Sequence, residues 1–550
     1  MSRCAVVAAV LAALPAACGS GGAGDASADA QPPADQQIAP AADWVLAVQP
    51  DAPPAGALPA TLLGHYDLSG ALYNYAGNTT LIDRMKAIGF AEWRVGLGRW
   101  EMTTRLLPTL ADGHATSCAT QLAALPAQAQ APAGATDDSL ITDRDWFTDN
   151  GQPVTPTDLA SDARYKLDYV RGVLDTAAAF GATPFVDIDH MPRALGVSRT
   201  FVRAGMPAGV ADPCLATWTN HVSNTRPADP NVFATAVVGA VRRIVEGSPG
   251  AAPRDARYWE IWNEPELGYA WDPSFEQPPG SLDAYFATAV TALTQLAAYR
   301  AGSANPHVTG LRFGLGSFAY ATTAVTALHA LDTNPLPDGT FAPIDFVSFH
   351  AYSNDPQVIV DAIQQVVTAR AGSTHYRGIE LALSEWGPDL TNAPAPTTMD
   401  TPLLVATVLA RGAALGLEHA HHSLFYAFVP GLPYAAVAAD GSPLPLYHAY
   451  ELLHDLIGTG ADRLAIAGAP DGALDGGTGA VVASHAAGGP VRVLVVNRGT
   501  AARTARVDAG GATATPSRVD VFDDPAAPPH PIAPSAVVSV PAHAIVLITL

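Results

Sequence analysis

The chain has 550 residues, 49% of them apolar and 15% charged, which suits a large folded domain plus a smaller one and excludes a disordered composition. Its 51 acidic residues against 29 basic ones give a net charge of −22. That balance excludes the basic footprint that nucleic-acid binding requires.

Arg3 is followed by an apolar run over residues 5–14, the length of a secretory signal and too short for a membrane span. Pro15-Ala-Ala-Cys18-Gly-Ser-Gly-Gly22 then sets small residues, a cysteine and a Gly/Ser tether in the order of a bacterial lipoprotein processing site. Pro15 stands where a leucine is usual. The expectation is a signal peptide over 1–17, lipid on Cys18, and export to the periplasm or cell surface, with plain secretion as the alternative. Loss of 1–17 removes Cys4 and acylation uses Cys18, so Cys118 and Cys214 are left as an even pair in an oxidising compartment. They are expected to form a disulfide.

Residues 18–42 lack periodicity and read as a flexible tether. Residues 43–49 read as a strand, a candidate partner for the C-terminal domain. From about residue 60 apolar runs alternate with helical patterns. The expected strands are 61–65, 91–95, 184–188, 258–262, 312–315, 345–349, 380–384 and 423–427. Expected helices include 80–88, 165–180, 232–246, 282–300, 356–370, 402–415 and 445–456. Eight such units predict an α/β fold, a (β/α)8 TIM barrel, over 43–458. A doubly wound sheet fits less well, because no Gly-rich phosphate turn follows the first strand. Beyond about residue 460 helical periodicity stops, and short strands between Gly, Asp and Pro predict an antiparallel β-sandwich domain over 459–550.

Two glutamates carry the chemistry. Glu264 lies in Tyr258-Trp-Glu-Ile-Trp-Asn-Glu-Pro265 and Glu385 in Leu381-Ala-Leu-Ser-Glu-Trp-Gly387. Each ends an apolar strand, and strand C-termini are where barrels place their chemistry. Strands 4 and 7 lie across the barrel from each other, so the two carboxyls face one another, which is the minimal equipment for cleaving a glycosidic bond. Asn263 is placed to hold a sugar 2-hydroxyl, and the flanking Trp rings to raise the Glu264 pKa by desolvation. His65 closes the first strand and joins the candidate sugar contacts.

These motifs resemble clan A of the glycoside hydrolases and, more narrowly, glycoside hydrolase family 39, which includes β-xylosidases and α-L-iduronidases. Supporting stretches are Gly89-Phe-Ala-Glu-Trp-Arg94, Pro184-Phe-Val-Asp-Ile-Asp-His-Met-Pro-Arg-Ala-Leu195, Asp345-Phe-Val-Ser-Phe-His-Ala-Tyr352 and Pro445-Leu-Tyr-His-Ala-Tyr450. The resemblance implies retention of configuration, with Glu264 as acid/base and Glu385 as nucleophile. It implies that Arg94 and Tyr352 support the nucleophile and that His350 lines the sugar site. Trp262 and Trp386 are candidates either for stacking on a sugar or for the core. The chain departs from the family in three places: Val95-Gly-Leu-Gly98 lacks a histidine, His190 stands for an aromatic, and Phe425 and Tyr426 stand for a tryptophan. His190 and Phe425 then become candidate walls of the sugar subsite.

Asp187 and Asp189 share one strand face while His190 takes the other, so they do not make a metal site. His419, His421 and His422 read as solvated loop residues before the last strand. The reaction calls for no cofactor and no metal. The expected partner is an oligosaccharide or polysaccharide substrate, with no nucleic acid and no membrane contact beyond the lipid anchor. The expected activity is a retaining glycosidase, β-xylosidase-like and exo-acting, with loops 101–160 and 196–229 walling the pocket. The alternatives are an endo-acting clan A polysaccharide hydrolase and a non-catalytic carbohydrate-binding surface lipoprotein.

Overall fold

Eight strands carry the barrel: β1 Gly64–Tyr66, β2 Glu92–Gly96, β3 Thr183–Ile188, β4 Tyr258–Ile261, β5 Arg312–Phe318, β6 Phe346–Tyr352, β7 Glu380–Gly387 and β8 His419–Ser423. Each pairs in parallel with the next, and β8 closes on β1. The structure is a computed structural model and describes residues 41–66, 79–97, 146–197 (without 149, 151, 190 and 193), 225–267, 271, 281–423 (without 390 and 391) and 435–550 (without 439 and 459).

A helix packs outside after every strand, and local sequence sets where several begin and end. Asp229 and Asp355 each accept a hydrogen bond from the backbone N–H two residues on, with Pro230 or Pro356 opening the helix behind them. Gly181 and Gly416 end their helices at φ 82 and φ 84, a left-handed turn that other residues enter only with strain. The helix Ala321–Thr333 was not among those expected; its Thr- and Ala-rich sequence carries little amphipathic signal.

Strand alternation sorts side chains between two environments. Trp93, Val95, Val186, Trp259, Ile261, Phe313 and Val347 point outward into the core under the helices. Phe185, Tyr258, Phe346 and Ala382 point inward and form an apolar plug near the N-terminal ends of the strands. Gly314 makes room for that plug, since a Cβ there would stand 2.1 Å from the Phe346 ring.

The last barrel strand is His419–Ser423 rather than 423–427, and its histidines are buried, not solvated. The cause is charge pairing inside the barrel. His419 Nδ1 and His421 Nε2 both lie 2.8 Å from Glu92 Oε2, and His419 Nε2 lies 3.1 Å from Glu380 Oε2. A pattern of apolar alternation does not register a strand whose inward residues are histidines.

The C-terminal region folds as two facing sheets. Trp44–Val48 joins the smaller one, parallel to Arg503–Ala509 and antiparallel to Ile466–Ala467. Gly56–Leu58 extends the larger one by pairing with Ala461–Leu464. The larger sheet is buried on both faces. Val481, Val493, Val519 and Val546 face the smaller sheet, whereas Val482, Leu494, Ile545 and Leu547 merge with the core around the barrel helices. Double burial explains why Ala544–Thr549 reads Ala-Ile-Val-Leu-Ile-Thr without a polar alternation.

Candidate active site

Glu264 sits on a strained turn just past β4. Trp262 and Glu264 have φ 78 and φ 47, values that non-glycine residues rarely adopt. The turn is held from both sides: Trp262 N–H donates to Ile188 O at 3.2 Å and Glu264 N–H to Ser317 O at 2.8 Å. The Trp262 ring points away from the barrel axis and packs on Trp271 and Phe233. This leaves Glu264 9% exposed at the barrel mouth.

Glu385 reaches the mouth through a bulge. Between β6 and β7 the register runs Phe349↔Leu383 and then His350↔Glu385, so Ser384 is one residue too many. Without that insertion the alternation from Ala382 would turn Glu385 outward; the bulge re-aims it inward. Oxygens of Glu264 and Glu385 and a ring nitrogen of His350 lie within 4.8 Å of one another.

The two carboxyls have different surroundings. Burial raises the Glu264 pKa to about 7, with Arg94 opposing weakly. His350 Nδ1 lies 2.8 Å from Glu264 Oε1, and burial holds His350 neutral, down at about 4. Burial, with the neighbouring Glu264, leaves Glu385 raised as well, against the lowering effect of His350, Arg94 and Tyr352. The Tyr352 hydroxyl donates to Glu385 Oε1 at 2.5 Å, and Arg94 Nη1 to Oε2 at 3.4 Å. Of the two, Glu385 has the donors that favour an anion and Glu264 the apolar burial that favours a neutral acid.

Arg94 is the cation at the centre. Its Nε donates to Glu260 Oε1 at 2.5 Å, and its Nη2 donates to Asp187 Oδ2 and Asn263 Oδ1, both at 2.9 Å, and to Ser317 Oγ. Its guanidinium also lies 4.8 Å over the Tyr66 ring. Because Arg94 can only donate, the Asn263 atom it meets is the oxygen, and the amide nitrogen is left as the donor end. Gly96 has no Cβ to clash with Asp189, whose two carboxylate oxygens lie 3.0 Å from where one would stand.

The structure brings Glu264, Glu385, Asn263, His350, Tyr352 and Arg94 into one pocket. It does not place His65 or Trp386 there. His65 is stacked on Phe90 with ring centroids 4.9 Å apart and meets Tyr450 edge-on, outside the barrel wall. Trp386 is fully buried against His422 on the same outer side. His65 was expected at the sugar and Trp386 either there or in the core; strand alternation turns both to the helices, and their neighbours Tyr66 and Glu385 take the inward positions. His190, Phe425, Cys18, Cys118 and Cys214 lie outside the described residues.

Sequence reasoning missed Tyr66, Glu260, Ser317 and Ser348. Glu260 left a signal, being a charge within an apolar strand. Tyr66 follows from alternation once the strand is shifted by one residue. Ser317 and Ser348 left none. Donor atoms of Glu264, His350 and Glu385 are close enough to hold a metal ion, although each of these side chains already has partners within the pocket.

No protein-family model matches the chain. A stretch of 194 residues is 27% identical to a β-xylosidase from Geobacillus stearothermophilus, covering 34% of this chain and 31% of that protein. The chain thus spans about a third of the length of the curated relative it matches. In fold it is similar to a family 39 β-xylosidase from Caulobacter crescentus, with TM-score 0.56 and 16% identity over 92% of this chain and 99% of that one. It is similar also to a family 39 enzyme from Xanthomonas axonopodis pv. citri (TM-score 0.52, 16% identity, 94% and 99% covered). A family 51 α-L-arabinofuranosidase from Bifidobacterium longum gives TM-score 0.56 at 14% identity, with 93% and 99% covered. In sequence and in fold the chain is similar to glycoside hydrolases of family 39 and its clan, and its architecture is the TIM barrel with a β-sandwich.

Proposed function

We propose that this chain, family-39-like in sequence and fold, is a retaining glycoside hydrolase with Glu385 as nucleophile and Glu264 as acid/base. The observation that carries the reading is the carboxyl pair with oxygens within 4.8 Å. Retaining enzymes hold their carboxyls roughly 5–5.5 Å apart, and inverting ones about 6.5–9.5 Å apart to admit a water. In the first step a Glu385 oxygen bonds to the anomeric carbon while the glycosidic C–O bond breaks. Its electron pair stays on the leaving oxygen, which takes the Glu264 proton. In the second step Glu264 takes a proton from water, the water oxygen bonds to the anomeric carbon, and the Glu385 ester bond breaks. Asn263, with its amide nitrogen as the donor end, is suited to the sugar 2-hydroxyl.

The charge of the pocket favours a neutral sugar. Asp189, Glu260 and Glu385 line or underlie it beside Asp187 and Glu264, both of which burial pushes towards their neutral forms, and among the described residues Arg94 faces them with its nitrogens already bonded to carboxyl groups. A uronic acid would add another carboxylate to this field. The β-xylosidases among the similar proteins support a pentose glycone and exo action. A panel of nitrophenyl β-xyloside, α-arabinoside, β-glucoside, β-galactoside and α-iduronide tests this. Turnover is expected on a neutral sugar and not on the iduronide, with the product anomer retained by proton NMR. The acid must be protonated to act, so kcat/KM is expected to fall as pH rises through about 7, the value to which Glu264 is raised. An inverted product would refute the mechanism.

Export and a lipid tether belong to the same reading, supported by the apolar run, Cys18 and the Gly/Ser stretch behind it. Mass analysis of the exported protein checks this. The expected result is an acylated Cys18 and a non-reduced peptide linking Cys118 to Cys214. An unmodified Cys18 or two free thiols would remove the respective feature.

A further inference from the structure

Ser317 takes no part in the chemistry above, yet several of the groups that do converge on it. It lies in the bulge of β5, where the register runs Leu315↔Val347 and then Phe318↔Phe349. Gly316 there has φ 128 and Ser317 has φ 53, a conformation natural to glycine and strained for serine. The Ser317 carbonyl accepts the Glu264 N–H at 2.8 Å, and the Ser317 N–H donates to Ser348 Oγ at 2.7 Å. Its hydroxyl oxygen lies 2.5 Å from Arg94 Nη2, 2.9 Å from Asn263 Oδ1 and 2.8 Å from His350 Nε2.

Hydrogen counting assigns the direction of each bond. Arg94 only donates, so Asp187 Oδ2, Asn263 Oδ1 and Ser317 Oγ are all acceptors that share the two hydrogens of its Nη2. Asn263 Oδ1 has no hydrogen, so the hydrogen in its contact with Ser317 is the serine's own. With that hydrogen used, Ser317 Oγ meets His350 Nε2 as an acceptor, and the ring hydrogen sits on Nε2. Glu385 Oε2, 3.9 Å from the same nitrogen, favours a hydrogen there as well. His350 is neutral, so Nδ1 then carries a lone pair. Its 2.8 Å contact with Glu264 Oε1 is a hydrogen bond only when Glu264 supplies the hydrogen.

We propose that Ser317 is a positioning residue that fixes His350 as the Nε2–H tautomer, so that Nδ1 accepts from Glu264 and favours its protonated, acid form. The inference rests on Glu264 being the acid. The other charged and titratable groups facing this pair are Arg94 on β2, Glu260 on β4, Glu385 on β7 and His421 on β8. In the opposite tautomer Nδ1–H would donate to Glu264 and stabilise its carboxylate, giving a poorer acid at the same pH.

Ser317→Gly removes the hydroxyl and suits the backbone; Ser317→Ala removes it and keeps the Cβ. In both, the alkaline limb of the kcat/KM profile is expected to move to lower pH by about one unit, the scale of one hydrogen bond to a charged group. The loss of rate should be larger for poor leaving groups than for activated ones. Nitrogen-15 NMR of the histidines gives a reading independent of turnover: His350 is expected with hydrogen on Nε2 in the wild type and on Nδ1 in the variants. A shift in the glycine variant alone would point to the backbone and overturn the proposal. So would an unmoved limb together with an unchanged tautomer. If no glycoside is cleaved, the function reading fails, and the NMR result still decides the tautomer.

Discussion

Glu385→Gln is expected to lower kcat on the cleaved glycoside by on the order of 10⁴-fold or more, the scale of removing an attacking nucleophile. The amide keeps the shape of the side chain and still accepts from Tyr352. What it lacks is the charge that attacks the anomeric carbon. Arg94 retains Glu260 and Asp187 as partners, so the centre should not collapse. Burial raises the pKa of Glu385 and the nearby Glu264 adds to that, so the wild-type carboxylate is held there at a cost in stability. The variant should therefore unfold at the same temperature or a higher one. Steady-state rates beside thermal unfolding separate loss of chemistry from loss of fold. A variant that keeps full activity would remove Glu385 from the mechanism.

Glu92→Gln is expected to cost stability rather than chemistry. Glu92 and His419 are fully buried partners below the active site, and His421 adds a second donor to the same oxygen. Burial pushes Glu92 up, but the charge of His419 and the bonds from both histidines outweigh it and hold Glu92 at about 2. Burial pushes His419 down, and Glu92 with Glu380 outweighs that and raises it to about 10. Removing one partner strands the other charge in the barrel. The expected loss is on the order of 3 kcal/mol, at the lower end for a broken buried pair because Glu380 still faces His419.

The same pair sets a pH window in the wild type. Glu92 is depressed, so its contribution is present above about 4.5 and is lost as pH falls towards about 2. His419 is raised, so its contribution is present below about 6.5 and is lost as pH climbs towards about 10. In Glu92→Gln both flanks of the stability profile should flatten. Denaturant unfolding at a series of pH values checks this, and equal stability of the variant at every pH would show that the pair holds nothing together.

Sequence alone determined the parts whose cause is local. Apolar runs followed by helical periodicity placed seven of the eight barrel strands within a few residues, because alternation and capping act over short distances. Trp-Asn-Glu-Pro and Ser-Glu-Trp marked both glutamates, since each stands where a strand stops. Parallel βα order then put strands 4 and 7 across the barrel with Asn263 beside Glu264, and the resemblance to family 39 added Arg94, His350 and Tyr352 to the same pocket.

Tertiary structure decided which way side chains point and which strand carries no apolar signature. His65 against Tyr66 is a choice of one residue in register, and pairing with β2 and β8 makes it. Glu385 faces the pocket only because Ser384 bulges against β6, a misfit between two strands distant in sequence. His419, His421 and His422 form a strand because Glu92, 327 residues from His419, supplies the counter-charge. Ser317 matters through contacts to β2, to the turn after β4 and to β6 that no pattern along the chain records. Strand propensity is a property of neighbours along the chain, whereas register, bulges and buried charge pairs are properties of neighbours in space.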